Sequence, residues 1–391
     1  MTPTASAGVG QAVRLALGTA SALGIARFAY GLLLPAMRDD LHWTLADAGV
    51  MSAANGFGYL LGALLAAALI RRLGAATAFR AGMALTAGSL SATAAAGDHL
   101  LLACRALSGA TGAVVFIAGG VIATQAATRA DSAMPITVYF AGTGLGILAS
   151  GVTVPLLGAH WRLAWLVLGI AAALATGASW TAAGPGGVPR AGAGRARLRP
   201  LLAAALAYLL FATGYIAYIT FLSAYLTDRH ASVAQVVLTW TVLGSAVTAA
   251  PVLWSRPIAD WPGSRALATL LAVLGGGAAL ALVSSAPAVV LLSALVYGAT
   301  FMGVPAAVTA LVGTHTSTVD RAATLAALTA VFAAGQTAGP WLAGLVADRT
   351  STAAPLAWTA VLCAAGAAVA LVGRSAAPAP DHTSPTHGVR A

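Results

Sequence analysis

The sequence predicts an all-α membrane protein whose twelve transmembrane helices form two pseudo-symmetric six-helix bundles. Three observations predict it. The 391 residues are 59% hydrophobic and 8% charged, with a mean hydropathy of +0.88, whereas soluble domains carry roughly a quarter charged residues. Apolar stretches long enough to cross a hydrocarbon core, about 20 residues for about 30 Å, recur along the whole chain. The longest polar break, GPGGVPRAGAGRARLRP from Gly184 to Pro200, divides these stretches six and six.

The first stretch, 13–36, follows MTPTASAGVGQAVRLALG, which lacks the compact charged, apolar and cleavage regions of a signal peptide, so it is read as a membrane helix. Further stretches at 48–70, 76–96, 100–127, 134–157 and 163–183 complete an N-terminal bundle over 1–183. The break at 184–200, rich in Gly, Pro and Arg, reads as a cytoplasmic linker. Stretches at 201–226, 234–254, 266–285, 287–313, 322–346 and 355–373 form a C-terminal bundle over 201–373, the third and fourth separated mainly by the turn signal SSAP. Residues 374–391 are expected to form a disordered cytoplasmic tail, and its His382 and His387 have nothing nearby to complete a metal site.

Every basic residue is an arginine, twenty in all, and every acidic one an aspartate, ten in all. The net charge of +10 does not mark a nucleic-acid surface, because the arginines are spread over short loops. With an even number of spans, both termini share a side. Placing them in the cytoplasm leaves only Arg38, Arg162, Arg229 and Arg349 outside, with Arg27 and Arg105 within spans. The positive-inside rule selects this orientation, and a multi-pass protein of a plasma membrane, in contact with the lipid bilayer, is expected. Cys104 and Cys363 lie in apolar segments of opposite halves and indicate neither a disulfide framework nor a zinc site. No nucleophile–base set, metal cluster or phosphate-cradling loop appears, so neither an enzyme nor a cofactor is expected.

The halves echo each other weakly. A shift of about 190 residues lays GIARFAY at Gly24 over GYIAYITF at Gly214, and RRLGAATAFR at Arg71 over DWPGSRALA at Asp260, with Gly74 opposite Gly263, as in transporters built from repeats. These loops resemble the signatures of the major facilitator superfamily. So do CRALSGATGA with Arg105, Gly109 and Gly112, the stretch AGTGLGILASGVTVPLLG followed by HWRLAW, and GQTAGPWLAGLVADR. The resemblance covers essentially the whole chain, and GIARFAYGLLLPAM followed by RDDLHW is similar to a bacterial subgroup, the YbfB/YjiJ-like permeases. It implies transport by rocker-switch alternating access, with helices 1, 4, 7 and 10 lining the central cavity. It also implies a cytoplasmic gate in which Asp260 pairs with Arg265, beside Gly263. In the first copy Arg71 stands where the family usually has aspartate, so that copy supplies no carboxylate. A monomer is expected.

Arg27 and Arg105 fall on the first two cavity helices. At 1.5 Å per residue they lie about 12 Å and about 7–8 Å from the outer ends of their helices. An arginine at the centre of an apolar helix costs about 2.5–3.5 kcal/mol on insertion scales and is by default a functional candidate, with snorkelling as the bland alternative. No aspartate lies well inside a span, and the chain has no glutamate. Either the two cations pair with backbone carbonyls and amides such as Asn55 and Gln336, or the missing anion is the substrate, because a carboxylate suits the guanidinium fork.

Aromatic residues accompany them. Tyr208, Tyr215, Tyr218 and Tyr225 step by seven, three and seven along one face of the seventh span. Tyr30 lies one turn from Arg27, and Tyr297 and Phe301 are i, i+4 in the tenth span. Packing accounts for such stripes as well, and Tyr208 and Tyr225 near the span ends suit interfacial belts. The expected substrate-binding residues are Arg27, Tyr30, Arg105, Tyr215, Tyr218 and Tyr297, the gating residues Asp260 and Arg265, and the substrate a small organic anion bearing a carboxylate. The alternative is an exporter of neutral or amphipathic compounds, in which the aromatic cavity binds and the arginines are structural. Without an embedded acid, uniport, anion exchange and symport of a protonated anion all stay open.

Overall fold

The computed structural model describes residues 3–184 and 194–375. The centre of the linker, with Arg190, and the tail beyond 375, with His382, His387 and Arg390, lie outside the described residues. Among the described residues every regular element is helical.

The first rod consists of α1 (Pro3–Thr19), a π segment (Ala20–Phe28) and α2 (Tyr30–Leu41). It is followed by α3 (Leu45–Leu73), α4 (Ala75–Thr93), α5 (Asp98–Ala130), α6 (Met134–Thr153) and α7 (Trp161–Ser179). Beyond the linker come α8 (Leu202–Asp228), α9 (Val233–Asp260), α10 (Arg265–Val283), α11 (Pro287–Phe301), α12 (Gly303–His315), α13 (Thr318–Arg349) and α14 (Ala354–Ser375). The tenth span is thus broken in two. Pro305 has no N–H to return to the Phe301 carbonyl, so the helix is interrupted one turn before it. Among the described residues, eleven rods are long and apolar enough to cross a bilayer. The twelfth, α4, has the length, but its threonines, serines and glycines dilute its hydropathy.

Within the chain's first part, α3 packs on α5, α4 on α5 and α7, and α1 on α6; within its second, α8 packs on α13 and α14, α10 on α11 and α14, and α9 on α11. Three further pairings join the two parts: α3 with α13, α6 with α9, and α2 with α8. At α3–α13 the backbones nearly touch. A Cβ on Gly49 would meet the Pro340 carbonyl oxygen at 2.4 Å, and one on Gly344 the Leu45 carbonyl oxygen at 2.4 Å, so this approach is available only to glycine.

The two loops aligned in the sequence share a backbone conformation. Gly74 has φ 81° and Gly263 φ 55°, a region in which a side chain is strained and glycine is not. Each stands just before the next helix and turns the chain back across the bundle.

At the opposite end, α3 begins in a capping box, with Thr44 Oγ1 accepting from the Asp47 N–H at 3.1 Å and Asp47 accepting from the Thr44 N–H at 3.0 Å. Asp348, at the end of α13, adds a second cap. Its carboxylate accepts from the Leu45 N–H at 2.7 Å and the Ala46 N–H at 2.9 Å. The free N–H groups and positive dipole end of α3 thereby tie it to α13.

Candidate substrate-binding site

The site is built where the first rod departs from α-helical winding. Over Ala20–Phe28 the turns widen, and the Ala29 N–H reaches back five residues to the Gly24 carbonyl at 3.2 Å. Such π turns are rare and cluster at functional sites. Gly24 lets this segment lie directly against α6, because a Cβ there would lie 2.5 Å from the Gly146 backbone.

Arg27 lies on this segment and is 7% exposed. Its Nη2 donates to the Tyr215 hydroxyl at 3.1 Å and to Gln336 Oε1, groups on α8 and α13 that are neutral. Its Nε and the Gln336 Nε2 are buried without a hydrogen-bond partner. The guanidinium carbon also lies 5.2 Å from the Tyr59 ring centre. A cation at this depth, held only by dipoles and ring faces, lacks the counter-charge that makes a buried arginine inexpensive.

Arg27 lines a cavity of about 220 Å³ with Leu23, Phe28 and Tyr59 from the first rods and Tyr208, Phe211, Tyr215, Phe301 and Phe332 from the later ones. The cavity runs toward the end that carries the linker, where Thr309 is exposed and Leu325 and Thr329 are partly exposed. Its wall is a set of near-parallel rings: Phe211 on Tyr215 at 4.7 Å and 17°, Tyr208 on Phe332 at 5.0 Å and 21°, Tyr215 on Phe332 at 5.6 Å and 24°. One cation therefore faces a flat apolar surface, a combination that suits an anion with a planar body.

A family model described as Uncharacterised MFS-type transporter YbfB matches residues 19–373. The chain belongs to that family. It is a membrane transporter of the major facilitator superfamily and not an enzyme. Among solved structures it is similar to the nucleoside transporter NupG, as the D323A mutant, at 13% identity and a TM-score of 0.68 over 93% of this chain and 98% of that one. It is likewise similar to a bacterial homologue of the human lysosomal transporter Spinster, in an inward-facing and unoccupied conformation, at 13% identity and a TM-score of 0.67 over 96% of each chain. A comparison with curated proteins finds no match.

The transporter does not bring all the expected site residues together. Arg105 is buried, but away from the cavity: its Nη1 donates to the Ala26 carbonyl at 2.6 Å, and its guanidinium stacks 4.8 Å from Tyr30 and 5.6 Å from Trp165. Of the carbonyls and amides expected as neutral partners for the arginines, as against a substrate anion, Arg105 takes a backbone carbonyl and Arg27 the Gln336 amide oxygen. Asn55 bonds instead to the Arg105 carbonyl and the Ser108 hydroxyl, at 3.2 and 3.1 Å.

The tyrosines divide similarly. Tyr215 lines the cavity, whereas Tyr30 donates to the Ala48 carbonyl at 2.8 Å, Tyr218 shares a hydrogen bond with Ser293 at 2.8 Å, and Tyr297 donates to the Tyr215 carbonyl. Tyr208 and Tyr225 are buried and not interfacial, since Tyr208 stacks in the cavity wall and the Tyr225 hydroxyl finds the Ala281 carbonyl at 2.6 Å. Asp260 and Arg265 form no ion pair in this conformation; Arg265 lies over Trp261 at 5.1 Å. Among the described residues the ion pair present is Arg197 with Asp320, at 3.0 Å, where the linker meets the start of α13.

Phe211, Phe332 and Tyr59 are among the cavity residues that the sequence did not single out. Phe211 completes an i, i+3, i+7 stripe with Tyr208 and Tyr215 and was legible on the same helix face. Phe332 and Tyr59 come from helices with no aromatic periodicity and carried no such signal.

Proposed function

We propose that this transporter moves a small organic anion, a carboxylate-bearing metabolite with a planar apolar body, by rocking the halves 1–183 and 201–373 about the central cavity. The observation that supports this is Arg27, a buried cation in the cavity wall paired only to the neutral groups of Tyr215 and Gln336, with its Nε hydrogen unpaired. A substrate carboxylate supplies the charge the protein withholds, and a bidentate guanidinium–carboxylate pairing is stronger than the bonds Arg27 makes to neutral acceptors. With the termini in the cytoplasm of a bacterial cell, the mouth of the cavity faces inward and the Asp348 cap closes the outer side. Asp260 pairs with Arg265 when the inner side closes in turn.

The aromatic walls also favour the alternative, export of neutral or amphipathic compounds. The cavity of about 220 Å³ is smaller than the roughly 300–1,000 Å³ that encloses drug-sized ligands, which favours a small metabolite.

Reconstitution into liposomes with a panel of labelled organic acids tests the proposal. Saturable uptake of a carboxylate by the unsubstituted protein, lost in Arg27→Ala, is expected. Selective uptake of cations or sugars, or acid uptake indifferent to Arg27→Ala, overturns it.

A further inference from the structure

We propose that Gln336 sets the specificity of the anion site: its amide oxygen holds Arg27 while the cavity is empty and gives Arg27 up to an incoming carboxylate. This rests on the reading of Arg27 as the anion anchor. Gln336 is fully buried on α13 and hydrogen-bonded to the cavity residues Arg27 and Tyr215. Its Oε1 accepts from both Arg27 Nη2 and the Tyr215 hydroxyl, the latter at 3.3 Å.

The arrangement is incomplete on both sides. Arg27 Nε and Gln336 Nε2 each leave buried N–H groups unpaired, and an unpaired buried donor is costly in proportion to its charge. A carboxylate has two acceptor oxygens, so one can replace the amide oxygen at Nη2 while the other takes the Nε hydrogen, the side-on bidentate pairing that guanidinium favours. The displaced amide is then free to turn an N–H toward either oxygen. A neutral ligand offers Arg27 no gain over the amide it already has.

The neutrality of position 336 is therefore the point. A glutamate there would be a permanent counter-ion, and the site would be satisfied without substrate. Because Arg27 belongs to the first rod and Gln336 to α13, the same exchange undoes a hydrogen bond between the chain's two parts when substrate arrives.

The test uses the full-length protein in detergent, with affinity measured for acetate, benzoate and phenylacetate and with benzamide as the neutral control. Gln336→Glu is expected to fold and to lose carboxylate affinity by about tenfold or more. Gln336→Met, which removes the competing oxygen but keeps the shape, is expected to bind at least as tightly as the unsubstituted protein; Gln336→Ala carries the same expectation if Gln336→Met does not fold. A merely structural glutamine would weaken binding in both directions. Gln336→Glu with affinity within about twofold of the unsubstituted protein, or Gln336→Met failing as Gln336→Glu does, overturns this inference alone. Absence of any binding that depends on Arg27, for all three acids, overturns the anion reading together with it.

Discussion

The Arg105 guanidinium donates to the Ala26 carbonyl at 2.6 Å, one residue from Arg27 in the π segment. Two arginines of similar depth thus do different things: one buttresses the widened turn, and the other is presented by it. Replacing each by methionine separates them. Arg105→Met removes a charge-assisted bond to a buried carbonyl, worth about 1.5–3 kcal/mol, and is expected to lower the apparent unfolding temperature in detergent. Arg27→Met removes a buried charge whose partners, Tyr215 and Gln336, still hydrogen-bond each other, and is expected to leave that temperature unchanged or raised, while anion binding is lost. Equal destabilisation by the two substitutions contradicts this division.

Tyr215 and Tyr218 stand one turn apart on α8, yet only Tyr215 touches Arg27. Tyr215→Phe removes two hydrogen bonds at the cavity, of which the charge-assisted one from Arg27 is worth about 1.5–3 kcal/mol, and should weaken anion affinity by about tenfold or more. Tyr218→Phe removes the buried hydrogen bond to Ser293, which keeps only its bond to the Gly277 carbonyl, so a loss of stability with unchanged affinity is expected. Ligand titration alongside a melting curve distinguishes them.

The seal between α3 and α13 makes a prediction about access. Asp348→Ala strips the second cap from α3, and losing a helix cap costs about 0.5–2 kcal/mol. The end near Thr44 should then open more often. Ser52, buried on α3 within 3.1 Å of the Thr220 hydroxyl, reports on it once changed to cysteine, because the native Cys104 and Cys363 are both buried. Labelling of Ser52→Cys by a membrane-impermeant thiol reagent should quicken in Asp348→Ala and quicken further in Gly344→Val, whose side chain meets the Leu45 carbonyl. Unchanged labelling in both would mean this contact does not govern closure.

Much of this was legible in the sequence, and the reasons are physical. Hydropathy and the Gly184–Pro200 break locate the spans because a bilayer imposes length and composition on each helix separately. Gly74 and Gly263 were aligned across the halves, and both adopt positive φ. The depth of Arg27 and Arg105 was likewise readable, but not where each points. That depends on the π segment, since the widened turns rotate Arg27 relative to a regular helix, and no residue preference in ASALGIARF announces the change. The tyrosine stripe shows the same limit: a helix face can be drawn from spacing, whereas which hydroxyl meets Ser293 and which meets Arg27 is decided by helices 75 and 188 residues away along the chain. Asp348 reads as a span-end acid, and its role as a cap on α3 exists only once α13 is packed.

Recognition of a carboxylate by Arg27 can be read from equilibrium binding, without the transport cycle. A labelled monocarboxylate is bound to purified protein and competed with its neutral amide, in the unsubstituted transporter and in Arg27→Met. The carboxylate should be preferred by about 10- to 100-fold, the equivalent of the roughly 1.5–3 kcal/mol that a charged hydrogen bond adds, and Arg27→Met should erase the preference. A preference that survives Arg27→Met, or an amide that competes as well as the acid in the unsubstituted protein, contradicts the account.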